Sequence, residues 1–240
     1  MAAARTMLMG MKATGEAALH EIDRFDRGVG WIAYPEETME RASHALAVPN
    51  DETAEDDVWV IDPVDAPGLD DLLAEFGSVA GVVVCLDRHK RDSAAVATRH
   101  DVPVYVPEWM TGVADEIDAP VRRFSSRLAD SGFETIRIRN SSLPPWQEVG
   151  LFDGETLVVP ESLGSSSYFR GDRERLGVHP MLRLTPPRKA LSGLDPDRVL
   201  VGHGVGVLDD APAAIEHALD SSRSNAPGLY AKTLRSALGF

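Results

Sequence analysis

A polar segment follows the apolar stretch that ends at Cys85, and its residue types suit a ligand-binding loop. The segment reads Arg88, His89, Lys90, Arg91, Asp92 and Ser93. Histidine and aspartate are common ligands of divalent metals, whereas arginine and lysine repel a metal and bind carboxylate or phosphate groups. The segment therefore indicates either a metal site or an anion-binding pocket.

The elements that would position this loop alternate between short apolar strands and short helices. Strands are predicted at Val58–Ile61, Val79–Cys85 and Val102–Val106, and helices at Leu69–Phe76 and Ser93–His100. A run of this kind implies a parallel or mixed sheet that is covered by helices.

More elements are predicted on both sides of this run. They are early strands at 18–33 and 43–48, a short helix at Arg123–Ser131, a strand at Glu134–Arg139, a hairpin of Val149–Phe152 and Thr156–Val159 that turns at Asp153-Gly154, and helices at Ala211–Ser222 and Tyr230–Leu238. No linker rich in proline, glycine or serine divides the chain, so residues 1–240 are interpreted as a single domain. Residues 1–17 are expected to be a ragged, disordered start.

The order of these motifs resembles the metallo-β-lactamase superfamily. VIDP at residues 60–63 is similar to the acidic turn after an early strand, and residues 88–93 fall where the superfamily reads HxHxDH. FDGETLVVPESLG resembles a hairpin whose aspartate bridges two metals, and RVLVGHGVGV resembles the strand and loop that carry the last histidine. The resemblance covers about residues 40–222. It implies an α/β fold, an αββα sandwich of two mixed sheets with outer helices.

When the resemblance is followed residue by residue, most ligand positions of the superfamily's polar loop hold other residue types in this chain. Arg88 and Lys90 stand at the first two histidine places, where two cations would repel a divalent ion. Asp92 keeps the aspartate place, and Ser93 replaces the last histidine of the loop. His89 is displaced by one position, and one step along an extended segment turns a side chain to the opposite face. His89 is therefore expected to point away from the site.

Other parts of the superfamily's site are better kept. Glu161 stands at the place of the bridging aspartate, and His203 keeps the final histidine. Asp62 keeps the acidic place after the early strand, where it would cap a turn or orient ligand groups. The segment at residues 142–146, SLPPW, has no histidine where the superfamily has one. His179 lies in a long irregular segment that could reach the pocket.

The first functional hypothesis is a protein of this fold that has lost its metal centre and does not catalyse a reaction. Arg88, Lys90 and Arg91 would then occupy the pocket as ion pairs with Asp92 and Glu161. Because guanidinium groups bind carboxylate and phosphate well, the pocket would take a small anionic molecule and no metal or other cofactor. The ligand-binding residues would be Asp62, Arg88, His89, Lys90, Arg91 and Glu161.

The second hypothesis is a metallo-hydrolase with a reduced site for one zinc, iron or manganese ion. Its ligands would be His89, Asp92, Glu161 and His203, and its catalytic residues Asp92 and His203. Three protein ligands and a water suffice for a catalytic zinc site, and the substrates would be esters, thioesters or phosphoesters. A third hypothesis is an unrelated α/β protein with a doubly wound parallel sheet and no Asp-Gly hairpin beside the pocket.

The charge balance limits the partners. The 240 residues include 38 acidic and 24 basic ones, for a net charge of −14. An acidic surface is typical of a protein that stays soluble in high salt, so we expect a halophilic source, and nucleic acid is excluded because its binding needs a basic surface. No apolar run reaches the roughly 18 residues that span a bilayer. We expect a cytoplasmic protein that binds a small molecule, and the superfamily's frequent dimers make a homodimer an option.

Overall fold

Two β-sheets lie face to face with helices outside them, in a computed structural model that describes residues 15–171 and 173–238. This arrangement confirms the α/β fold class and the αββα sandwich that the sequence predicts. The ragged start predicted for residues 1–17 lies, up to residue 14, outside the described residues.

The first sheet has seven strands in sequence order, antiparallel from β1 to β4 and parallel from β4 to β7. The strands are β1 (His20–Phe25), β2 (Gly28–Ile32), β3 (Ala42–Val48), β4 (Asp57–Ile61), β5 (Ser78–Val83), β6 (Val104–Pro107) and β7 (Val121–Phe124). Helices α1 (Leu69–Ala74) and α2 (Ser93–Arg99) make the crossovers on either side of β5. Parallel pairing places the ends of β4 and β5 at the same edge of the sheet.

The second sheet has four strands in the order β13-β10-β9-β8, and only its β10 and β13 pair in parallel. These strands are β8 (Glu134–Ser142), β9 (Pro145–Phe152), β10 (Thr156–Val159) and β13 (Arg198–Val201). The predicted hairpin is present between β9 and β10, and Gly154 takes a φ of +96° in its turn. A small ribbon of β11 (Leu163–Gly164) and β12 (Gly177–Val178) follows.

Apolar side chains form two buried clusters. The first joins the two sheets to α1 and α2, and includes Val60, Leu72, Val96 and Leu151. The second lies between the second sheet and two helices, α3 (Arg188–Leu191) and the long α4 (Ala211–Leu238). Within the described ranges, no helix is long and apolar enough to cross a membrane.

Two predicted elements differ from the structure. The helix predicted at Arg123–Ser131 is wrong, because Val121–Phe124 forms strand β7 and pairs with the edge of the first sheet. Pairing with a neighbouring strand outweighs local propensity in such a short segment. The two helices predicted after residue 210 are one helix, α4, which continues through Pro227 because Ala226 and Leu229 extend its buried stripe.

Candidate functional site

Four loops meet at one edge of the sandwich, and each directly follows a strand. Asp62 follows β4, residues 86–92 follow β5, Glu161 follows β10 and His203 follows β13. The strands β4 and β5 are parallel neighbours, as are β10 and β13, so their carboxyl ends bring these loops together.

Three ligand-type side chains form a compact buried group, which we call the His-Glu-His cluster: His89, Glu161 and His203. The Nε2 atom of His89 lies 3.1 Å from Oε2 of Glu161 and 3.4 Å from Nε2 of His203. The third edge of this triangle, from Nε2 of His203 to Oε2 of Glu161, is 3.8 Å. Each of the three residues is at most 6% exposed.

The expectation that His89 points away from the site is wrong. It assumed an extended loop, in which successive side chains alternate between two faces. The loop instead consists of tight turns, because the N–H of His89 donates to Leu86 O and the N–H of Ser93 donates to Lys90 O, both at 2.9 Å. Arg91 adds a left-handed residue with a φ of +40°. These turns direct the imidazole of His89 towards Glu161.

Both imidazoles of the cluster are oriented through their Nδ1 atoms. Nδ1 of His89 lies 2.9 Å from Oδ2 of Asp62, and Nδ1 of His203 lies 3.0 Å from the carbonyl oxygen of Met39. A carboxylate and a carbonyl can only accept a hydrogen bond, so both Nδ1 atoms carry the proton. With Nδ1 held in this way, each ring turns its Nε2 towards the cluster, as metal-binding histidines do.

The cluster combines a buried histidine of lowered pKa with an ionised carboxylate. Burial lowers the pKa of His203 to about 4, so its imidazole is neutral at neutral pH. Burial alone would raise the pKa of Glu161, but the facing imidazoles of His203 and His89 hold it well below its ordinary value. A carboxylate oxygen and the Nε2 atoms of two imidazoles therefore converge on one point, and this donor set suits a metal ion once both Nε2 atoms are deprotonated.

Arg91 places a fixed positive charge beside the cluster. Its guanidinium donates to the carbonyl oxygens of Ala42, Asp62 and Gly202, at 2.5, 2.8 and 3.1 Å, and thereby ties three of the loops together. One of its terminal nitrogens lies 3.4 Å from Nε2 of His89. Burial lowers its pKa to about 10, so Arg91 remains charged at neutral pH.

Arg88 reaches the cluster from the outer side. A terminal nitrogen of its guanidinium lies 3.3 Å from Oε1 of Glu161, and its central carbon lies 4.0 Å from the ring centre of Trp146. The side chain is 39% exposed, whereas the cluster is buried. Arg88 is thus a charged group that contacts both Glu161 and solvent.

The structure does not bring Lys90 or Asp92 into the cluster. Lys90 pairs with Glu116 at 3.0 Å and donates to the carbonyl of Asp87. Asp92 directly precedes α2, and its carboxylate accepts a hydrogen bond from the backbone N–H of Asp65 at 2.8 Å. Asp92 therefore braces the loop after Asp62, and it is absent from the group of ligand atoms that lie within 4.8 Å of one another.

Glu148, which the sequence analysis did not select, supports the cluster from strand β9. Its buried carboxylate accepts the backbone N–H groups of Glu161 and Ser162 at 2.9 and 2.7 Å and the indole N–H of Trp146 at 2.8 Å. Burial raises its pKa above the ordinary value. An acid directly before the apolar stretch Val149–Phe152 was the sequence signal for this role.

His179 joins the same neighbourhood from the end of β12. Its Nε2 lies 3.4 Å from Oε1 of Glu161. The ring packs against Trp146, Tyr168 and Phe169, with ring centres 5.0, 5.7 and 5.3 Å away. The ring of Phe169 also stacks on the imidazole of His203, with ring centres 5.2 Å apart, so the segment that contains Tyr168 and Phe169 covers the cluster.

Comparisons by sequence and by structure give different results for this chain. No protein-family model matches it, and no curated protein matches it by sequence. Solved structures do match: a DIM-1 metallo-β-lactamase has a TM-score of 0.53 at 13% identity, with 88% of this chain and 99% of that chain covered.

Two further structures extend this similarity. A diflavin flavoprotein fragment from Nostoc sp. PCC 7120 has a TM-score of 0.58 at 14% identity, over 88% of this chain and 98% of that one. A β-lactamase domain protein from Burkholderia ambifaria has a TM-score of 0.57 at 13% identity, over 86% of this chain and 74% of that one. At such identities the comparison establishes fold and not activity. The chain has the metallo-β-lactamase fold.

Proposed function

We propose that this protein is a metal-dependent hydrolase that uses a single metal ion held by His89, Glu161 and His203. The substrates would be small esters, thioesters or phosphoesters that carry a negative charge. The proposal belongs to the same reaction class as many enzymes of this fold, but it rests on the chain's own side chains.

The spacing of the ligand atoms is the observation that supports the proposal best. A tetrahedral zinc ion with bonds of about 2.0–2.1 Å keeps its ligand atoms about 3.4 Å apart. The three edges of the His-Glu-His cluster are 3.1, 3.4 and 3.8 Å. Little movement would therefore be needed to bind a metal, and a fourth position would be left for water.

The donor set also narrows the choice of metal. Two imidazole nitrogens and one carboxylate oxygen suit zinc, and iron or manganese remains an alternative. A metal in this position would supply Lewis-acid activation of water at neutral pH. The residues around it would orient the imidazoles, through Asp62 and the carbonyl of Met39.

The charges around the cluster support an anionic substrate. The guanidinium of Arg91 lies beside Asp62, and that of Arg88 lies between Asp87 and Glu161, so a bound metal would add positive charge to a site that already holds two cations. Positive sites attract anions from solution, and Arg88 is partly exposed to solvent. Arg88 would therefore contact the carboxylate or phosphate of an arriving substrate.

A hydrolysis screen tests this proposal. The protein, kept in molar KCl, would be assayed with carboxylate-bearing esters, thioesters and phosphomonoesters after loading with zinc, iron or manganese. We expect activity that a chelator abolishes and added metal restores, and that His203→Ala removes. A loaded protein that hydrolyses none of these substrates, or a His203→Ala variant with unchanged activity, would contradict the proposal.

A metal-free, non-catalytic binding protein is the second candidate, and Arg91 favours it. The guanidinium of Arg91 lies 3.4 Å from Nε2 of His89 and already places a positive charge beside the cluster. With Arg88, which lies 3.3 Å from Glu161, it supplies positive charge to the cluster without a metal. In this case the protein would bind a small anion through Arg88 without hydrolysing it.

The remaining expectations on partners and location are also proposals. We propose a small-molecule ligand and not nucleic acid, because the net charge of −14 would repel a phosphate backbone. A cytoplasmic location and a homodimer complete the proposal, and size-exclusion chromatography with light scattering would test the dimer.

A further inference from the structure

The two oxygens of Glu161 have different surroundings. Oε2 faces the imidazoles of His89 and His203, whereas Oε1 faces His179 at 3.4 Å and Arg88 at 3.3 Å. A carboxylate can bind a metal through one oxygen or through both, so whatever holds Oε1 decides how Glu161 binds. The two oxygens of Glu161 can therefore have separate roles.

The direction of the contact with His179 follows from its other nitrogen. Nδ1 of His179 accepts the backbone N–H of Met181 at 3.2 Å, so the proton of the neutral ring is on Nε2. The N–H at Nε2 then makes a polar contact with Oε1 of Glu161, with 3.4 Å between the two atoms. This tautomer is the reverse of that of His89 and His203, whose Nδ1 atoms donate.

Packing prevents His179 from turning away. The residue is 4% exposed, and its ring lies between the aromatic rings of Trp146, Tyr168 and Phe169. Arg88 forms the other polar contact with Oε1, an ion pair, but its side chain is 39% exposed and can exchange this contact for water or for a substrate anion. His179 is therefore the more permanent of the two neighbours of Oε1.

We propose that His179 is a positioning residue that holds Oε1 of Glu161, so that Glu161 presents Oε2 alone to a metal. The inference rests on the proposed metal site. Arg88 can then move to a substrate while Oε1 keeps its contact with His179. His179 neither ligates the metal nor touches the substrate.

Three variants test the proposal by metal affinity, measured for zinc by competition with a chromogenic chelator. His179→Phe keeps a ring but loses the N–H group, and we expect its affinity to fall by about 10–100-fold, as for other lost supports of a metal ligand. His179→Gln keeps an N–H donor and should retain most of the affinity. The control His217→Gln changes an exposed histidine on α4 and should have no effect.

A measurement without metal separates this inference from the proposed function. In the metal-free protein, ¹⁵N NMR of the histidine side chains should show the proton of His179 on Nε2, and Glu161→Gln should shift that resonance. If the wild-type protein binds no zinc, the proposed function fails, and the position of this proton alone decides the inference. A proton on Nδ1, or a folded His179→Phe variant that binds zinc as wild type does, would overturn it.

Discussion

Asp62 links the backbone of one sheet to an imidazole of the cluster. Its Oδ1 accepts the N–H of Cys85 at 2.8 Å, and its Oδ2 accepts Nδ1 of His89 at 2.9 Å. Its φ of +44° lies in the left-handed region, which a non-glycine residue adopts at a cost of about 1–3 kcal/mol. Strain of this kind persists where the surrounding contacts hold the residue in place, and here they orient His89.

The first prediction concerns this carboxylate. Asp62→Asn leaves one acceptor oxygen for two donors, the N–H of Cys85 and Nδ1 of His89, and should weaken zinc binding by about 10–100-fold. Chelator competition would measure the affinity, and Asp70→Asn, which changes an exposed partner of Arg99, is the control. Equal affinities of the Asp62 variant and wild type would show that His89 is not oriented in this way.

Single residues of the site could be predicted only in part. Glu161 and His203 follow predicted strands, so local patterns place them at the edge of the sandwich. The direction of His89 could not be predicted, because it depends on turns and on the left-handed Arg91. The roles of Glu148 and His179 depend on contacts between strands that are distant in the sequence, and a local sequence pattern cannot predict such contacts.

At the scale of elements, the end of β13 must approach the end of β10 closely. A Cβ atom at Gly202 would lie 2.1 Å from the carbonyl oxygen of Pro160, which is backbone and cannot move aside as a side chain could. Pro160 and Gly202 immediately precede Glu161 and His203. The lack of a side chain at Gly202 thus permits the short distances within the cluster.

Gly202→Ala should therefore damage both stability and the site. We expect the free energy of unfolding to fall by about 1–3 kcal/mol, the usual range for overpacking, and zinc affinity to fall as well. Gly228→Ala is the control, since nothing lies within 4 Å of its added Cβ in α4. The control should be stabilised by about 0.5–1 kcal/mol. Chemical denaturation would measure both, and a Gly202 variant as stable as wild type would contradict this account.

A buried ion pair attaches the segment that covers the cluster to α4. Arg183 donates to Glu174 at 2.7 Å and also to the carbonyl of Phe169, whose ring stacks on His203. Asn225 of α4 donates to the same carboxylate at 2.8 Å. The pair therefore holds Phe169 over the site.

This pair predicts a dependence of stability on pH. Burial alone would raise the pKa of Glu174, but hydrogen bonds from Arg183, Asn225 and the N–H of Gly171 lower it from 4.5 to about 2. The stabilisation is complete above the unfolded pKa and is lost as the pH falls from about 4.5 to about 2. The stability difference between wild type and Glu174→Gln, measured by denaturation, should shrink over this range. A constant difference would contradict the assignment.

At the scale of the whole molecule, the sandwich could be predicted because short apolar stretches and turn residues recur along the chain. The Asp153-Gly154 hairpin and the strands on either side of α1 and α2 are local features. The continuity of α4 and the strand β7 could not be predicted, because packing and edge pairing decide them. The site could be predicted in part: local sequence patterns indicate each of its loops, but the packing of the two sheets brings the loops together.

The net charge of −14 leads to a prediction for the whole molecule. Repulsion between carboxylates opposes the compact state, and salt screens it. We expect the free energy of unfolding and the melting temperature to rise from low salt to molar KCl, which thermal scans over a salt series would measure. Stability that is independent of salt would argue against a halophilic adaptation.

The central claim is that His89, Glu161 and His203 hold one metal ion. Its most direct test is elemental analysis of protein purified in molar KCl without a chelator and then dialysed against zinc. We predict one zinc per chain in the wild type and in Asp92→Asn, because Asp92 lies outside the cluster. The His89→Ala and His203→Ala variants should each lose it. A wild type that takes up no metal, or folded histidine variants that retain it, would contradict the account and leave the metal-free anion-binding protein.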